Sequence, residues 1–179
     1  MNESTMKAMF SSETEMWATP QNLFNRLNEE FQFNTDVCAI QDNAKCEHFF
    51  SPEINGLDQE WKGSCFMNPP YGKVIYDWLE KAYMESLKGS IVVCVIPART
   101  DTRYFHEFCM RASEIRLVKG RLKFGDSNNS APFPSAIIIF NKYTYRGYPI
   151  VSTYDNYTFY EPIGIPIVYY NCVSPISFI

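Results

Sequence analysis

A chain of 179 residues, 46% hydrophobic and 20% charged, is enough for one compact domain with an ordinary core and excludes an intrinsically disordered protein. No apolar run is long enough to span a membrane, and the opening MNESTMKAMFSSETEMW has no apolar signal core, so a cytoplasmic protein with no membrane partner is expected. The net charge of −4 is unevenly spread: residues 1–60 hold 3 Lys/Arg against 11 Asp/Glu, whereas 110–146 hold 7 against 2, so a polyanion is drawn to the later segment and repelled by the earlier one.

Residues 1–15 are polar and aperiodic, which predicts a flexible end. Thr19 and Pro20 then read as N-cap and first residue of a helix whose buried face is Leu23, Phe24, Leu27 and Phe31. Phe33 to Ala39 predicts a first strand, Asp42 to Cys46 one or two helical turns, and His48 to Ser51 a second short strand. After the turn-rich SPEINGLDQEW, Ser64 to Met67 is a short apolar strand cut off by Asn68-Pro69-Pro70-Tyr71-Gly72. Ile75, Trp78, Leu79, Ala82 and Tyr83 mark an amphipathic helix that Gly89 stops. The continuously apolar Ile91 to Ile96 predicts a strand buried on both faces. A helix over Thr102 to Arg111, a strand over Glu114 to Val118, a turn and short strand over Gly120 to Phe124, and a buried strand over Ser135 to Phe140 follow.

Strands alternating with helices, then strands alone, predict an α/β fold with a mostly parallel sheet and an antiparallel C-terminal hairpin. The expected division is a domain over 16–140 and a short β-rich C-terminal extension over 141–179. The six cysteines form no C-x-x-C pair and lie mostly in apolar stretches, so they read as packed thiols. In a parallel sheet, ligands sit at the carboxyl ends of the strands, and both Asp36 and Asn68 fall there.

Asn68-Pro69-Pro70-Tyr71 is the segment with the clearest chemistry. The lone pair of an aromatic exocyclic amine is delocalised into its ring, so the amine is a poor nucleophile. Two acceptors that hold its hydrogens turn the lone pair toward an electrophile; the side-chain oxygen of Asn68 and the backbone carbonyl of Pro69 can supply them. The prolines fix the direction of that carbonyl, and Tyr71 can stack on the base. A base in a duplex must first leave the stack, which makes such an enzyme a base flipper.

An Asn-Pro-Pro-Tyr motif after a strand resembles the catalytic signature of amino-methyltransferases that act on DNA adenine. Further segments resemble the phage-type DNA N-6-adenine methyltransferase (Dam-like) family: Trp17 with Thr19-Pro20, Asp36 to Ala39, Asn43 to Cys46, Gly56-Leu57, Trp61, Pro97 to Thr102, Lys119 to Phe124, and Ala131 to Ser135. This resemblance implies a Rossmann-like methyltransferase sheet, S-adenosyl-L-methionine as methyl donor, and the N6 amino group of adenine in DNA as acceptor. It also implies a phage or prophage origin, with restriction–modification or protection of phage DNA as the setting.

By this resemblance Asn68, Pro69, Pro70 and Tyr71 are catalytic. Asp36, at the end of the first strand, falls where related enzymes place an acid near the donor's amino group, with Cys38 and Ala39 beside it. Where many methyltransferases carry a Gly-rich turn, Ala39-Ile40-Gln41-Asp42 has no glycine, so the donor site must be shaped differently. Glu53 stands where an acid often meets the donor's ribose, and Asp58 near the donor's adenine. Thr19 and Pro20 either touch the donor or only cap a helix. Arg99, Arg103, Arg121 and Lys123 are candidate DNA-phosphate contacts, which would position the DNA without reading its sequence. His48 and His106 lack partners at metal-ligand spacing, and no metal is expected. The same motif admits cytosine N4, RNA or protein as acceptors, and the scaffold admits a non-catalytic nucleic-acid-binding or anti-restriction protein. No separate target-recognition domain is visible; a homodimer would supply more DNA surface, although no residue pattern indicates one.

Overall fold

The computed structural model describes residues 17–125 and 130–155. The expected flexible end over 1–15, Cys172 and the chain beyond 155 lie outside them. Six strands form one sheet in the order β1-β2-β3-β5-β4-β6. They are β1 (Thr35–Asp36), β2 (Ser64–Met67), β3 (Ile91–Pro97), β4 (Glu114–Lys119), β5 (Ser135–Phe140) and β6 (Ile150–Asp155). β1, β2 and β3 pair in parallel, β4 and β6 pair in parallel, and β5 is antiparallel to both neighbours, β3 and β4. The sheet is therefore parallel except for β5, as an α/β pattern predicts. The expected antiparallel hairpin is β4–β5, with β5 inserted between β3 and β4.

Both faces of the sheet are covered, which is why its central strands are apolar without alternation. α2 (Ile75–Lys88) and α3 (Arg103–Glu107) cover one face through Ile75, Trp78, Leu79 and Phe105, against Cys65, Met67, Val92, Cys94, Ile96 and Ile138. α1 (Gln21–Phe31) covers the other through Leu23, Phe24 and Leu27, against Phe66, Val93, Val95, Ile137 and Ile139. Neighbouring strand residues thus belong to opposite layers. No described helix is long and apolar enough to cross a membrane. Cys38, Cys65, Cys94 and Cys109 are buried free thiols, and Cys46 is a half-buried one.

Several expected elements differ. Thr19 does not cap α1: its side chain turns into the interior, 3% exposed, and Pro20 occupies the N-cap instead of the first helical turn. The Asn22 side-chain oxygen accepts from the Leu23 amide instead. The first strand shrinks to Thr35–Asp36, although the amides of Asn34 and Val37 still donate to Ser64 and Phe66. Beyond Val37 the Asp36 carboxylate takes the amides of Cys38 and Lys45, and this bends the chain away from the ladder. Residues 48–51 contribute only one parallel bridge, Asp36 to Phe49. Asp42 to Cys46 is a turn, in which Asn43 and Ala44 donate to the carbonyl of Ile40. The helix expected over Thr102 to Arg111 splits into α3 and a 3-10 turn, Cys109–Arg111: the Phe108 amide still bonds four residues back to Tyr104, whereas Arg111 and Ala112 bond three back, to Phe108 and Cys109. Thr102 does not cap with its side chain; its hydroxyl donates to the Arg99 carbonyl. Gly120 to Phe124 forms no strand, yet Leu122 and Phe124 point inward while Arg121 and Lys123 stay exposed. β6, in the segment read as an extension, lies on the edge of the same sheet.

One glycine is fixed by contact. A Cβ on Gly56 would lie 2.1 Å from the Val37 carbonyl oxygen and 3.1 Å from the Trp78 ring. Its own carbonyl accepts from the Trp61 indole at 2.8 Å. Neither neighbour can retreat, because Val37 follows β1 and Trp78 is in the core. Gly56→Ala is expected to destabilise the fold by about 1–3 kcal/mol, the usual cost of overpacking, read as a lower melting temperature. An unchanged melting temperature would show that the Gly56 turn can move.

Candidate active site

β2 delivers Asn68 to the carboxyl end of the sheet, where two prolines stop the strand. Asp36 pairs in register with Phe66 on the neighbouring parallel strand, so Asp36 and Asn68 emerge side by side at that end. The Asn68 amide is held from both sides: its Nδ2 donates to the Trp17 carbonyl at 2.6 Å, and its Oδ1 accepts from the Tyr71 hydroxyl at 2.9 Å. A carbonyl can only accept, so Trp17 fixes which way the amide faces. The oxygen is then turned toward Tyr71, and its second lone pair can still accept a bond.

Tyr71 is half-buried and stands edge-on to Phe133 and Phe124, with ring centroids 5.5 and 6.4 Å away. Trp17 packs edge-on to the same two rings at 5.1 and 5.4 Å. Burial holds the Tyr71 phenol far above its ordinary titration range, so it stays a neutral donor. These rings meet because β4 runs parallel to β3 and its carboxyl end feeds residues 120–125 back to the site. There the Gly125 amide donates to the Ala18 carbonyl at 2.8 Å. Sequence pattern does not mark Trp17, Phe124 and Phe133 as neighbours of Tyr71; an aromatic in each of three separate segments is the signal it offers.

Asp36 is 2% exposed. Its carboxylate accepts from the Cys38 amide at 3.3 Å and the Lys45 amide at 3.0 Å. Burial raises its pKa to about 6, against the lowering effect of these amides and of the Lys45 charge. Cys38 and Ala39 are buried in the same loop, and burial pushes the Cys38 thiol far above its ordinary pKa, which makes it no nucleophile. Thr19, near Trp17, keeps a buried hydroxyl with no partner among the described residues; Pro20 is half-buried next to it. Pro69 is buried and Pro70 half-buried.

The remaining candidates are placed less centrally. Glu53 is exposed and accepts from the Ser51 hydroxyl at 2.6 Å; Asp58 is exposed and accepts from the Asn55 amide at 2.5 Å. Both follow the bridged segment beside Asp36. Arg99 is exposed just past β3, and Arg121 and Lys123 are exposed past β4, at the same end of the sheet as Asn68. Arg103 is exposed, and its guanidinium donates to Glu107 at 2.7 Å and to the Tyr76 hydroxyl at 2.8 Å, so part of its hydrogen-bonding capacity is already used. His48 stands edge-on to Phe50 and His106 is exposed. Among the described residues no group of three His, Cys, Asp or Glu could hold a metal ion.

An amide fixed at the carboxyl end of a parallel strand, followed by Pro-Pro-Tyr within an aromatic cage, defines the class: an amino-methyltransferase on a mostly parallel α/β sheet. The model for DNA N-6-adenine-methyltransferase (Dam) matches residues 6–160, and the chain belongs to that family. A DNA N-6-adenine-methyltransferase of Haemophilus phage HP1 (strain HP1c1) is 28% identical over 139 residues, covering 72% of this chain and 80% of that one. A second, from Escherichia phage T1, is 27% identical over 111 residues, covering 60% of this chain and 46% of that one.

Proposed function

We propose that the chain transfers a methyl group from S-adenosyl-L-methionine to the N6 amino group of adenine in DNA, with the base swung out of the duplex onto Tyr71. The observation that carries this reading is the doubly held Asn68 amide, whose oxygen is aimed into an aromatic cage at the mouth of the sheet. Asn68 Oδ1 and the Pro69 carbonyl accept the two amine hydrogens, which turns the nitrogen lone pair outward. Tyr71 stacks on the base, while Trp17, Phe124 and Phe133 keep that ring in place. The donor supplies an electrophilic methyl group when bound. Asp36 fits its ammonium group, because a buried carboxylate with a raised pKa gains most from a cation. Thr19 fits a polar atom of the donor, because its buried hydroxyl has no partner among the described residues. Cys38, Ala39 and Pro20 would border the donor, and Glu53 and Asp58 would meet its ribose and adenine.

The transfer is direct, and no enzyme nucleophile takes part. Its acceleration comes from positioning and from preorganised acceptors. Arg99, Arg121 and Lys123 are the phosphate contacts at this end of the sheet. Arg103 joins them only by giving up Glu107.

Purified protein is incubated with methyl-labelled S-adenosyl-L-methionine and unmethylated DNA of mixed sequence, and the DNA is digested to nucleosides. Label in N6-methyladenine is the expected result. Label in N4-methylcytosine would move the substrate to cytosine, and no label in DNA would overturn the reading.

A further inference from the structure

The connection from β5 to β6, residues 141–149, reads NKYTYRGYP: two cations, three tyrosines and no acid. Tyr143, Tyr145 and Tyr148 are 74%, 41% and 58% exposed. One exposed aromatic is ordinary on a protein surface. Three within six residues, interleaved with Lys142 and Arg146, make a different pattern: flat faces for bases alternating with charges for phosphates.

The loop is a folded presentation of these rings. The Asn141 carbonyl accepts from the amides of Thr144 and Tyr145 at 3.1 and 3.2 Å, and its side-chain oxygen accepts from the Tyr143 amide at 3.1 Å. Lys142 Nζ donates to the Leu87 carbonyl at 3.2 Å, which ties the loop to the end of α2. Beside it lies a cleft of about 430 Å³ bordered by Tyr143, Tyr145 and Arg146 on one side and by Phe31, Glu30 and Glu114 on the other. Both of those carboxylates are engaged by the one Arg116 guanidinium, at 2.6 and 2.9 Å, which offsets one of their two charges, so phosphates are taken on the opposite side, by Lys142 and Arg146.

This surface is remote from Asn68. Ser135, at the start of β5, pairs with Pro97 at the carboxyl end of β3; Phe140, at the other end of β5, pairs with Val92. The loop leaves the sheet at that second end, on the order of 20 Å from the active end for a strand of this length. A base held at Asn68 cannot also touch it.

We propose that residues 141–149 form a second nucleic-acid surface, which stacks unpaired bases on Tyr143, Tyr145 and Tyr148 and meets phosphates with Lys142 and Arg146. It takes a single strand by stacking and charge, with little sequence preference, because every base has a π face. It does not depend on adenine methylation, and its test does not pass through the active site.

The full chain is titrated into a fluorescent dodecamer of deoxythymidine, which has no adenine to enter the Asn68 site, and anisotropy is recorded over a range of salt. Saturable binding by the wild type is expected. The triple variant Tyr143→Ala/Tyr145→Ala/Tyr148→Ala should bind at least tenfold more weakly, with an unchanged circular dichroism spectrum and melting temperature. Lys142→Ala/Arg146→Ala should make the log–log salt slope shallower by about 1.4, the value for two phosphates on a single strand. The proposal is overturned if the wild type does not bind. Equal binding by the variants would place the contact at Arg121 and Lys123 and overturn it as well. So would loss of duplex binding alone, or a change of oligomeric state in the triple variant, which would make this face a contact between copies of the chain.

Discussion

Asn68→Ala is expected to lower kcat for methyl transfer by about 10²–10³-fold while donor binding persists. The magnitude is that of removing one preorganised hydrogen-bonding group aimed at the reacting atoms. In the proposed mechanism Asn68 Oδ1 is the side-chain acceptor for an amine hydrogen. The substitution also leaves the Trp17 carbonyl without its donor and the Tyr71 hydroxyl without its acceptor. The cage could therefore loosen, so the variant is paired with Tyr71→Phe, which breaks only the second of these bonds and keeps the ring. If the chemistry rests on the Asn68 acceptor, Tyr71→Phe keeps most of kcat and Asn68→Ala loses it. Equal losses in both would mean that the Asn68–Tyr71 bond, and not acceptance from the substrate amine, is what matters. Unchanged turnover in Asn68→Ala would remove Asn68 from the mechanism. Isothermal titration with S-adenosyl-L-methionine and single-turnover kinetics separate binding from chemistry.

The parts legible in the sequence were those set by short-range pattern. β2, β3, β5 and α2 follow from apolar runs and periodicity, and Gly89 ends α2 at φ 123°. Asn68 through Tyr71 was legible because prolines after an apolar strand leave the chain few shapes. What was missed depends on contacts across the chain. Thr19 looked like a cap because Ser, Thr, Asp and Asn before a helix usually are, yet the packing of Trp17 against Phe124 and Phe133 turns that segment inward. The helix after Thr102 kept its buried stripe, with Tyr104, Phe105, Phe108, Cys109 and Ala112 all inside, while its backbone broke at Phe108. Periodicity reports which side chains face the core, and here the core accepted the stripe without a continuous helix. The tail reads as β-rich, but its place on the sheet is not legible, because Ile150 and Val151 stay exposed at the sheet edge, where alternation is weak. Arg103 has an i,i+4 partner in the sequence, Glu107, and the two pair in the structure at 2.7 Å.

Donor affinity is expected to fall as pH is lowered through about 6, by about tenfold between pH 7 and pH 5, and Asp36→Asn is expected to weaken binding and flatten this profile. In the folded protein the Asp36 carboxyl has its pKa raised to about 6, from 3.8 when unperturbed, with burial as the main cause. Between those two values the folded chain holds a proton that the unfolded chain has released. Stability contributed at this residue is thus greatest below about pH 4 and declines as pH rises to above 6, by about 3 kcal/mol for a shift of this size. An ammonium group placed against the carboxylate reverses the balance, because the charge that is costly alone becomes paired. Binding must then expel the proton wherever the carboxyl is protonated, so each pH unit below about 6 weakens affinity by close to tenfold. The amides of Cys38 and Lys45 already orient both carboxylate oxygens, so an Asn at this position can satisfy at most one of them and carries no charge for the donor. Titration calorimetry at pH 7 and pH 5, in buffers of different ionisation enthalpy, reads both the affinity and the proton released. A flat profile in the wild type, or full affinity in Asp36→Asn, would confine Asp36 to holding its own loop. The donor's ammonium would then have to be sought elsewhere at the carboxyl end of the sheet, with the Thr19 hydroxyl, which has no partner among the described residues, as the first place to look.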